Sequence, residues 1–331
     1  MKQNDNLKIR KLERAEHEKT RHLYETVFAE DEKAFVDYYY TWKICDNVIY
    51  VAEDEKGIHA MLHLNPFQVS VHGEIRTLHY IVAVATEEDY RHQGLMRELL
   101  ELAMHEMAEA GEVFTFLMPA AKEIYLPFGF RFAGWQRRGF LKASEEPEDR
   151  RGLCESQKGN GDSSGNIRAE YGNESVCRAV RTEEYQELAD MVNAVLSEQY
   201  DVFIWRDVRY YERLAAEQRS QNGDVMVILA DGRIVGTFCT SGWEENAETE
   251  EDGIGCRMEL REIIAQKEYQ EKVFGILSSY GNQKGNCRVA GCPEQLPLIN
   301  ETVVPLIMIR ELGEMKPADR TDMTVFINEV V

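Results

Sequence analysis

The sequence predicts an α/β (α+β) protein of two similar halves, each a mixed central sheet flanked by helices, plus a short C-terminal strand segment. Three observations carry this expectation. The order strand, helix, antiparallel hairpin occurs twice, over residues 7–58 and again over 176–235. A stretch from Ala143 to Ser175, rich in Gly, Ser, Asn, Glu and Asp, separates the two. At roughly 150 residues per domain, a chain of 331 residues accommodates two.

In the first half, Leu7 to Lys11 reads as a short strand and the segment through Phe28 as helical. Asn47 to Ile58 pairs two β-rich runs about a turn containing Gly57. In the second half, Val176 to Arg181 reads as a strand, and Thr182 caps a helix running through Leu196. Asp224 to Val235 folds about Asp231-Gly232, a strong hairpin signal. Such hairpins are common, so duplication and chance similarity both stay open. The piece Gly159 to Gly165 has no strand before it and no apolar helix after it, so it reads as linker and not as a phosphate loop.

The formal net charge is −21, with 59 acidic and 38 basic side chains. A surface this acidic repels polyphosphate, so no nucleic acid and no anionic membrane is expected as partner. It either concentrates cationic ligands or confers solubility alone. Seven cysteines without a C-x-x-C pair suit free thiols in a reducing cytosol. The first residues are too polar for a signal peptide, and apolar runs such as Ile81 to Ala85 and Val225 to Ala230 are only strand-sized. A cytoplasmic protein is expected.

Beyond their hairpins the halves differ. Tyr80 to Thr86 is a continuous β-run typical of a buried strand. A polar turn, Glu87 to Tyr90, leads to Arg91-His92-Gln93-Gly94 and then to a helix. Leu95, Met96, Leu99, Leu102, Ala103 and Met107 form its apolar stripe, and Gly111 stops it. A strand, a turn with exposed amides and a helix N-terminus together make an anion site. Gly94 admits a pyrophosphate close to the backbone and Arg91 adds positive charge. Taken alone, Arg-x-x-Gly is equally an ordinary helix entry. In the second half, Gly255 to Leu260 meets its helix with no glycine-bearing turn between.

The segment YIVAVATEEDYRHQGLMRELL resembles the cofactor-binding core of the Gcn5-related N-acetyltransferases, whose signature is Q/R-x-x-G-x-G/A. Residues 1–310 as a whole resemble the bacterial enhanced-intracellular-survival (Eis) type, with tandem acetyltransferase domains of which the second is degenerate. Phe116 to Ala121 and Ile124 to Phe130 are further markers. Met96 departs from the signature's last small residue and narrows the room above the pyrophosphate.

The resemblance implies acetyl-CoA as cosubstrate and N-acetyltransferase activity. By the same token Val84, Ala85 and Thr86 pair with the pantetheine arm. Arg91, His92, Gln93, Gly94, Leu95, Met96 and Arg97 wrap the pyrophosphate. Ala120 and Ala121 lie beside the acetyl-cysteamine end, and Tyr125 is the general acid. The domain boundaries are then 1–142 for the catalytic domain, 143–175 for the linker, 176–310 for the second domain and 311–331 for the tail.

The chemistry sets limits on these roles. A free phenol near 10 protonates a thiolate near 8.5 uphill by about 1.5 units, or ~2 kcal/mol, so Tyr125 acts as a positioned donor. Outside the resemblance it reads equally as a core tyrosine beside Phe128 and Phe130. In the family resembled, the terminal carboxylate is the base, which here would be that of Val331. A carboxylate about seven units below an ammonium works by attracting the cation and relaying its proton through water. The β-branched run Thr324 to Val331 reads as a docked strand, or simply as a sheet cap. Relatives place a third domain where only Glu311 to Asp322 stands here. They often form hexamers, and a homo-oligomer stays open for this chain.

His59 and His63 have helix-type ligand spacing but lie in a strand pattern without a third ligand, so no metal is expected. Cys287 and Cys292 lack partner ligands. Tyr38-Tyr39-Tyr40 with Trp42, near Glu30, Asp31 and Asp37, reads either as core or as an aromatic and acidic wall for a polycation. The expected acceptor is a small-molecule or peptide amine: aminoglycoside-like, a polyamine or a lysine. A catalytically inactive CoA-binding sensor or scaffold is the alternative. A ligase using aminoacyl-tRNA fits poorly with the acidity.

Overall fold

The computed structural model describes residues 7–141, 175–242, 258–284, 287–313 and 323–327. In chain order the first elements are β1 (Lys8–Lys11), α1 (Arg21–Val27), α2 (Lys33–Tyr38), β2 (Val48–Asp54), β3 (Gly57–Val71) and β4 (Glu74–Thr86). Then come α3 (Leu95–Glu109), β5 (Phe114–Leu117), α4 (Lys122–Tyr125) and β6 (Arg131–Leu141). The later elements are β7 (Ser175–Ala179), α5 (Tyr185–Gln199), β8 (Val202–Ile204), α6 (Val208–Ser220), β9 (Val225–Ala230) and β10 (Arg233–Ser241). The last are β11 (Met258–Ala265), α7 (Gln270–Lys284), β12 (Cys287–Ala290), β13 (Leu298–Glu311) and β14 (Val325–Phe326). The architecture is mixed α/β, with mixed sheets flanked by helices.

The chain divides into two compact units. One comprises residues 1–134, 200–205 and 305–331, and the other 135–199 and 206–304. The first therefore recruits β8 and the tail from far along the chain. The sequence stretch 143–174 and residues 328–331, Val331 included, lie outside the described residues.

In the first unit the strand order is β1-β2-β3-β4-β5-β13, with β8 and β14 added at β3. β1 to β4 run antiparallel, β4 and β5 parallel, and β13 antiparallel to β5. The β3–β4 hairpin turns on His72 (φ 50°) and Gly73 (φ 82°), the two left-handed residues that a twisted two-residue hairpin requires. β3 is long enough to be shared along one edge: Gly57 to Leu64 pair with β2, and Val69 to Val71 with β8. Val325 and Phe326 of β14 then pair with β8, and Thr324 is fixed by the Asp201 carboxylate, which accepts from its N–H and hydroxyl.

The stretch expected as one helix through Phe28 is split into a 3₁₀ segment, Arg14–Thr20, followed by α1. Tyr38, Tyr39 and Tyr40 are all buried, so the tyrosine run is core, and only Trp42 is exposed. Of the neighbouring acids, Asp37 is held by Arg21 and Lys33, while Asp31 accepts from the Tyr24 hydroxyl at 2.9 Å. Burial raises the Asp31 carboxyl above the usual range. An acidic wall for a polycation is thus reduced to its margins.

Helix α3 packs Leu95, Leu99, Leu100, Ala103 and Met107 against the sheet. Leu100 replaces the expected Leu102 in the stripe, and Met96 and Leu102 are only half-buried. A helix repeats every 3.6 residues, so a face wide enough to cover a twisted sheet takes in adjacent positions. Leu99 is fully buried at the centre of this face. We expect Leu99→Ala to destabilise the protein by about 3 kcal/mol, read from urea denaturation monitored by circular dichroism.

Candidate active site

The site grows from a break in the sheet. Between Met61 and His63 the β3–β4 register shifts by one residue, so Ala83 and Val84 stand opposite Leu62 alone. Ala83 adopts φ 50°, the left-handed region that a β-branched side chain resists, and alanine tolerates it here. The bulge turns β4 away from β5. Among the described residues their ladder is the single pair Tyr80↔Phe116. Beyond it, Val84, Ala85 and Thr86 keep β3 on one side and have no ladder partner on the other among the described residues. The Tyr80 hydroxyl accepts from the Met118 N–H at 3.3 Å and holds the exit of β5 in place.

After β4 a 3₁₀ turn, Glu88–Tyr90, leads into Arg91 to Gly94. His92 (φ 62°) and Gly94 (φ 90°) are left-handed. Alternation of hand in consecutive residues turns backbone N–H groups to one side, the geometry of an anion nest. Gly94 is also the residue that precedes α3. It brings no side-chain cap, so the first amides of that helix are left for a ligand or solvent. A Cβ placed on Gly94 would meet nothing within 4 Å, so the space above it is open. Arg91, His92, Gln93 and Arg97 are exposed. Two side chains stiffen the turn: Arg91 Nε donates to the Thr86 carbonyl and Gln93 Nε2 to the Asp89 carbonyl, both at 3.2 Å.

Tyr125 ends α4, just after Ala120 and Ala121. It is buried, meets Phe130 edge-on with ring centroids 5.9 Å apart, and its hydroxyl makes no hydrogen bond among the described residues. Burial alone pushes its phenol up to about 12. The Arg97 guanidinium lies 5.0 Å from the Phe128 ring centroid, which ties the start of α3 to the segment carrying Tyr125. The expected residues 84–86, 91–97, 120–121 and 125 therefore fall in the first unit, on the open end of β4 and the elements beside it.

The second unit has a related strand and no such opening. β10 and β11 also shift register, and Glu262 (φ 51°) stands in β11 as Ala83 does in β4. Five residues after each, a 3₁₀ turn begins, at Glu88 and at Lys267. Yet β11 and β12 stay paired from Met258↔Cys287 through Arg261↔Ala290, and Ile263 N–H donates to the Gly291 carbonyl. Buried Glu262 is taken up by Arg206 at 3.1 Å. Helix α7 follows Tyr269 at once, without the four residues that form the turn before α3.

Sequence reasoning missed one part of this region. His59, set aside as a metal ligand, packs against the entrance of the turn. Among the described residues no group of three or more His, Cys, Asp or Glu side chains is arranged to hold a metal. No signal in the sequence marks it: Glu87 reaches His59 because it directly follows the strand residue that pairs with Ala60, and that pairing is a matter of register.

Residues 8–133 match the family model described as an acetyltransferase (GNAT) domain. Over that stretch the chain is similar to acetyltransferase (GNAT) domains. No curated protein matches the sequence. Among solved structures, a probable N-acyltransferase of Enterococcus faecalis V583 superposes with a TM-score of 0.67 at 13% identity, over 92% of this chain and 73% of that one. Eis1 of Mycobacterium abscessus gives 0.59 at 13% identity, with the same coverages. A tandem GNAT protein from the clavulanic acid biosynthesis pathway gives 0.53 at 10% identity, over 94% of this chain and 100% of that one. At such identities the likeness is one of fold, and the structures sharing it include a tandem GNAT protein.

Because the left-handed region disfavours any side chain, Gly94→Ala is expected to cost about 1–2 kcal/mol, although nothing collides with the added methyl. Urea denaturation checks this, with Gly111→Ala, a helix-end glycine at φ 83°, as the reference for the same backbone strain.

Proposed function

We propose that the first unit transfers an acetyl group from acetyl-CoA to a cationic amine, aminoglycoside-like, a polyamine or a lysine, by direct attack of the amine on the thioester. The observation that carries this is the open edge of β4 running into the nest of His92 and Gly94. An extended pantetheine arm needs strand-type partners, and a diphosphate needs converging amides at a helix N-terminus. Both are fitted by residues of this chain. Val84, Ala85 and Thr86 would hold the arm. Arg91, His92, Gln93, Gly94, Leu95, Met96 and Arg97 would hold the diphosphate, and Ala120 and Ala121 would flank the thioester end.

Acetyl-CoA supplies an activated carbonyl and a thiol leaving group. The residues of the chain then do three things. A β4 N–H beside the bulge donates to the carbonyl oxygen as charge develops there. The Tyr125 hydroxyl, without another hydrogen-bond partner among the described residues, donates to the departing sulfur. With the phenol near 12 and a thiol near 8.5, full transfer is uphill by about 3.5 units, or ~5 kcal/mol. Burial thus makes Tyr125 a hydrogen-bond donor whose proton moves only as the C–S bond breaks, and it regains that proton from solvent. Third, the amine must lose its own proton first. We assign that to the carboxylate of Val331, which lies outside the described residues. It would attract the ammonium and pass its proton on through water. What supports this is that the tail belongs to the first unit and that Ile327 is buried.

The acid excess of the chain, with a net charge of −21, favours a cationic acceptor. The test is thiol release from acetyl-CoA across a panel of polyamines, aminoglycosides and lysine peptides. Turnover with at least one supports the reading; coenzyme A binding without turnover on any would make the chain a sensor or scaffold. Tyr125→Phe should lower kcat about 100-fold and leave the Kd for coenzyme A unchanged. Ending the chain after Ile327 should lower kcat and shift the pH–rate profile upward, as the amine then loses its base.

A further inference from the structure

His59 stands at the start of β3 with its side chain buried. Its Nε2 lies 2.7 Å from Asp54 Oδ1 and its Nδ1 2.7 Å from Glu87 Oε2. Its ring is stacked on that of Tyr90, with centroids 3.8 Å apart and planes within 7°. A neutral imidazole has one N–H and one lone pair, so it satisfies only one of two carboxylates; the other would face it lone pair to lone pair. Two carboxylates at hydrogen-bond distance on opposite nitrogens require the imidazolium. The backbone joins the same clamp, since the Glu87 N–H donates to the His59 carbonyl at 2.8 Å. Tyr90 N–H in turn donates to the Glu87 carbonyl at 3.0 Å, and Arg91 follows directly.

We propose that His59 is a positioning residue for the anion turn: held as an imidazolium between Asp54 and Glu87 and stacked on Tyr90, it fixes the backbone entering Arg91 to Gly94, and its deprotonation loosens that backbone. The bearing on cofactor affinity rests on the coenzyme A reading above; the clamp itself does not.

The titratable and charged groups facing His59 are Asp54 from β2, and Glu87 and Tyr90 from the segment after β4. The Asp54 carboxyl is held below its usual range first by the hydrogen bond with His59 and then by the N–H of Lys56, in the β2–β3 turn, which donates to it at 2.7 Å. Burial opposes the charge on His59, but hydrogen bonds to Asp54 and then Glu87 outweigh it, and the imidazolium persists above the usual histidine range. A value raised in the folded state means that the stabilisation is fully present below the ordinary range. It is lost as pH rises through the raised value.

The experiment is amide hydrogen exchange on the full chain without ligand, expressed as protection factors to remove intrinsic base catalysis, alongside coenzyme A titrations. In the wild type, protection of the hydrogen-bonded amides of Glu87, Tyr90 and Arg91 should fall about tenfold as pH crosses the histidine midpoint, and affinity for coenzyme A should weaken with the same midpoint. Glu87→Gln offers Nδ1 an amide donor, so a neutral ring completes both bonds; protection should persist at high pH and the midpoint disappear. His59→Phe keeps the stack and loses both N–H groups; protection should be low at every pH and coenzyme A bind about tenfold more weakly. Protection that does not change with pH in the wild type, or a Glu87→Gln variant that keeps the wild-type midpoint, overturns the proposal. Should His59→Phe fail to fold, the wild type and Glu87→Gln decide it. If exchange behaves as expected while the wild type binds no coenzyme A, the clamp stands and the coenzyme A reading falls.

Discussion

Where β4 leaves β5, a fully paired sheet becomes one that can accept an extended ligand. Backbone amides and carbonyls inside a sheet are satisfied by their neighbours, so an internal edge opens only if the geometry forces the strands apart. Here one extra residue opposite Leu62 does so, at the position where Ala83 takes a left-handed conformation. The diverging edge then runs directly into the turn of Arg91 to Gly94, and the direction of α3 is set by burial of Leu95, Leu99, Leu100, Ala103 and Met107. Packing at one end of this helix therefore decides where free amides point at the other.

The second unit shows what the same plan gives without that divergence. Its strand carries a left-handed residue too, yet the β11–β12 ladder continues alongside it, and Arg206 meets Glu262 within the protein. A strand whose edge is already paired has nothing to offer a pantetheine-like arm, and a helix that follows its strand without an intervening loop leaves no nest. The difference between the two halves thus resides in backbone hydrogen bonding and four residues of chain more than in any catalytic side chain.

Much of this was legible in the residues. β-rich runs located β2, the start of β3, the end of β4, and β9 with the start of β10, Asp231-Gly232 marked its hairpin, and Gly94 before an apolar-striped helix marked the turn. The bulge was not legible, because Ala83 and Val84 look like any buried strand residues and a left-handed alanine leaves no mark in composition. Nor was the role of Tyr38 to Tyr40: clustered aromatics beside acids read equally as pocket and as core, and only packing decides. His59 was judged by its spacing to His63, whereas its partners Asp54 and Glu87 come from the neighbouring turn and the end of the adjacent strand. Contacts across a sheet depend on register, which the sequence of one strand does not contain.

The shared edge of β3 carries a consequence for how the polypeptide is made. Val69, Ser70 and Val71 find their partners in Val202 to Ile204, and those in turn pair with Val325 and Phe326. During synthesis the N-terminal unit must therefore wait for well over a hundred further residues before this border is covered. Until then a run of β-branched and hydroxyl side chains presents naked main-chain groups to any passing strand. A fragment cut at the boundary of the matched acetyltransferase domain would keep that border exposed permanently and be prone to edge-to-edge association.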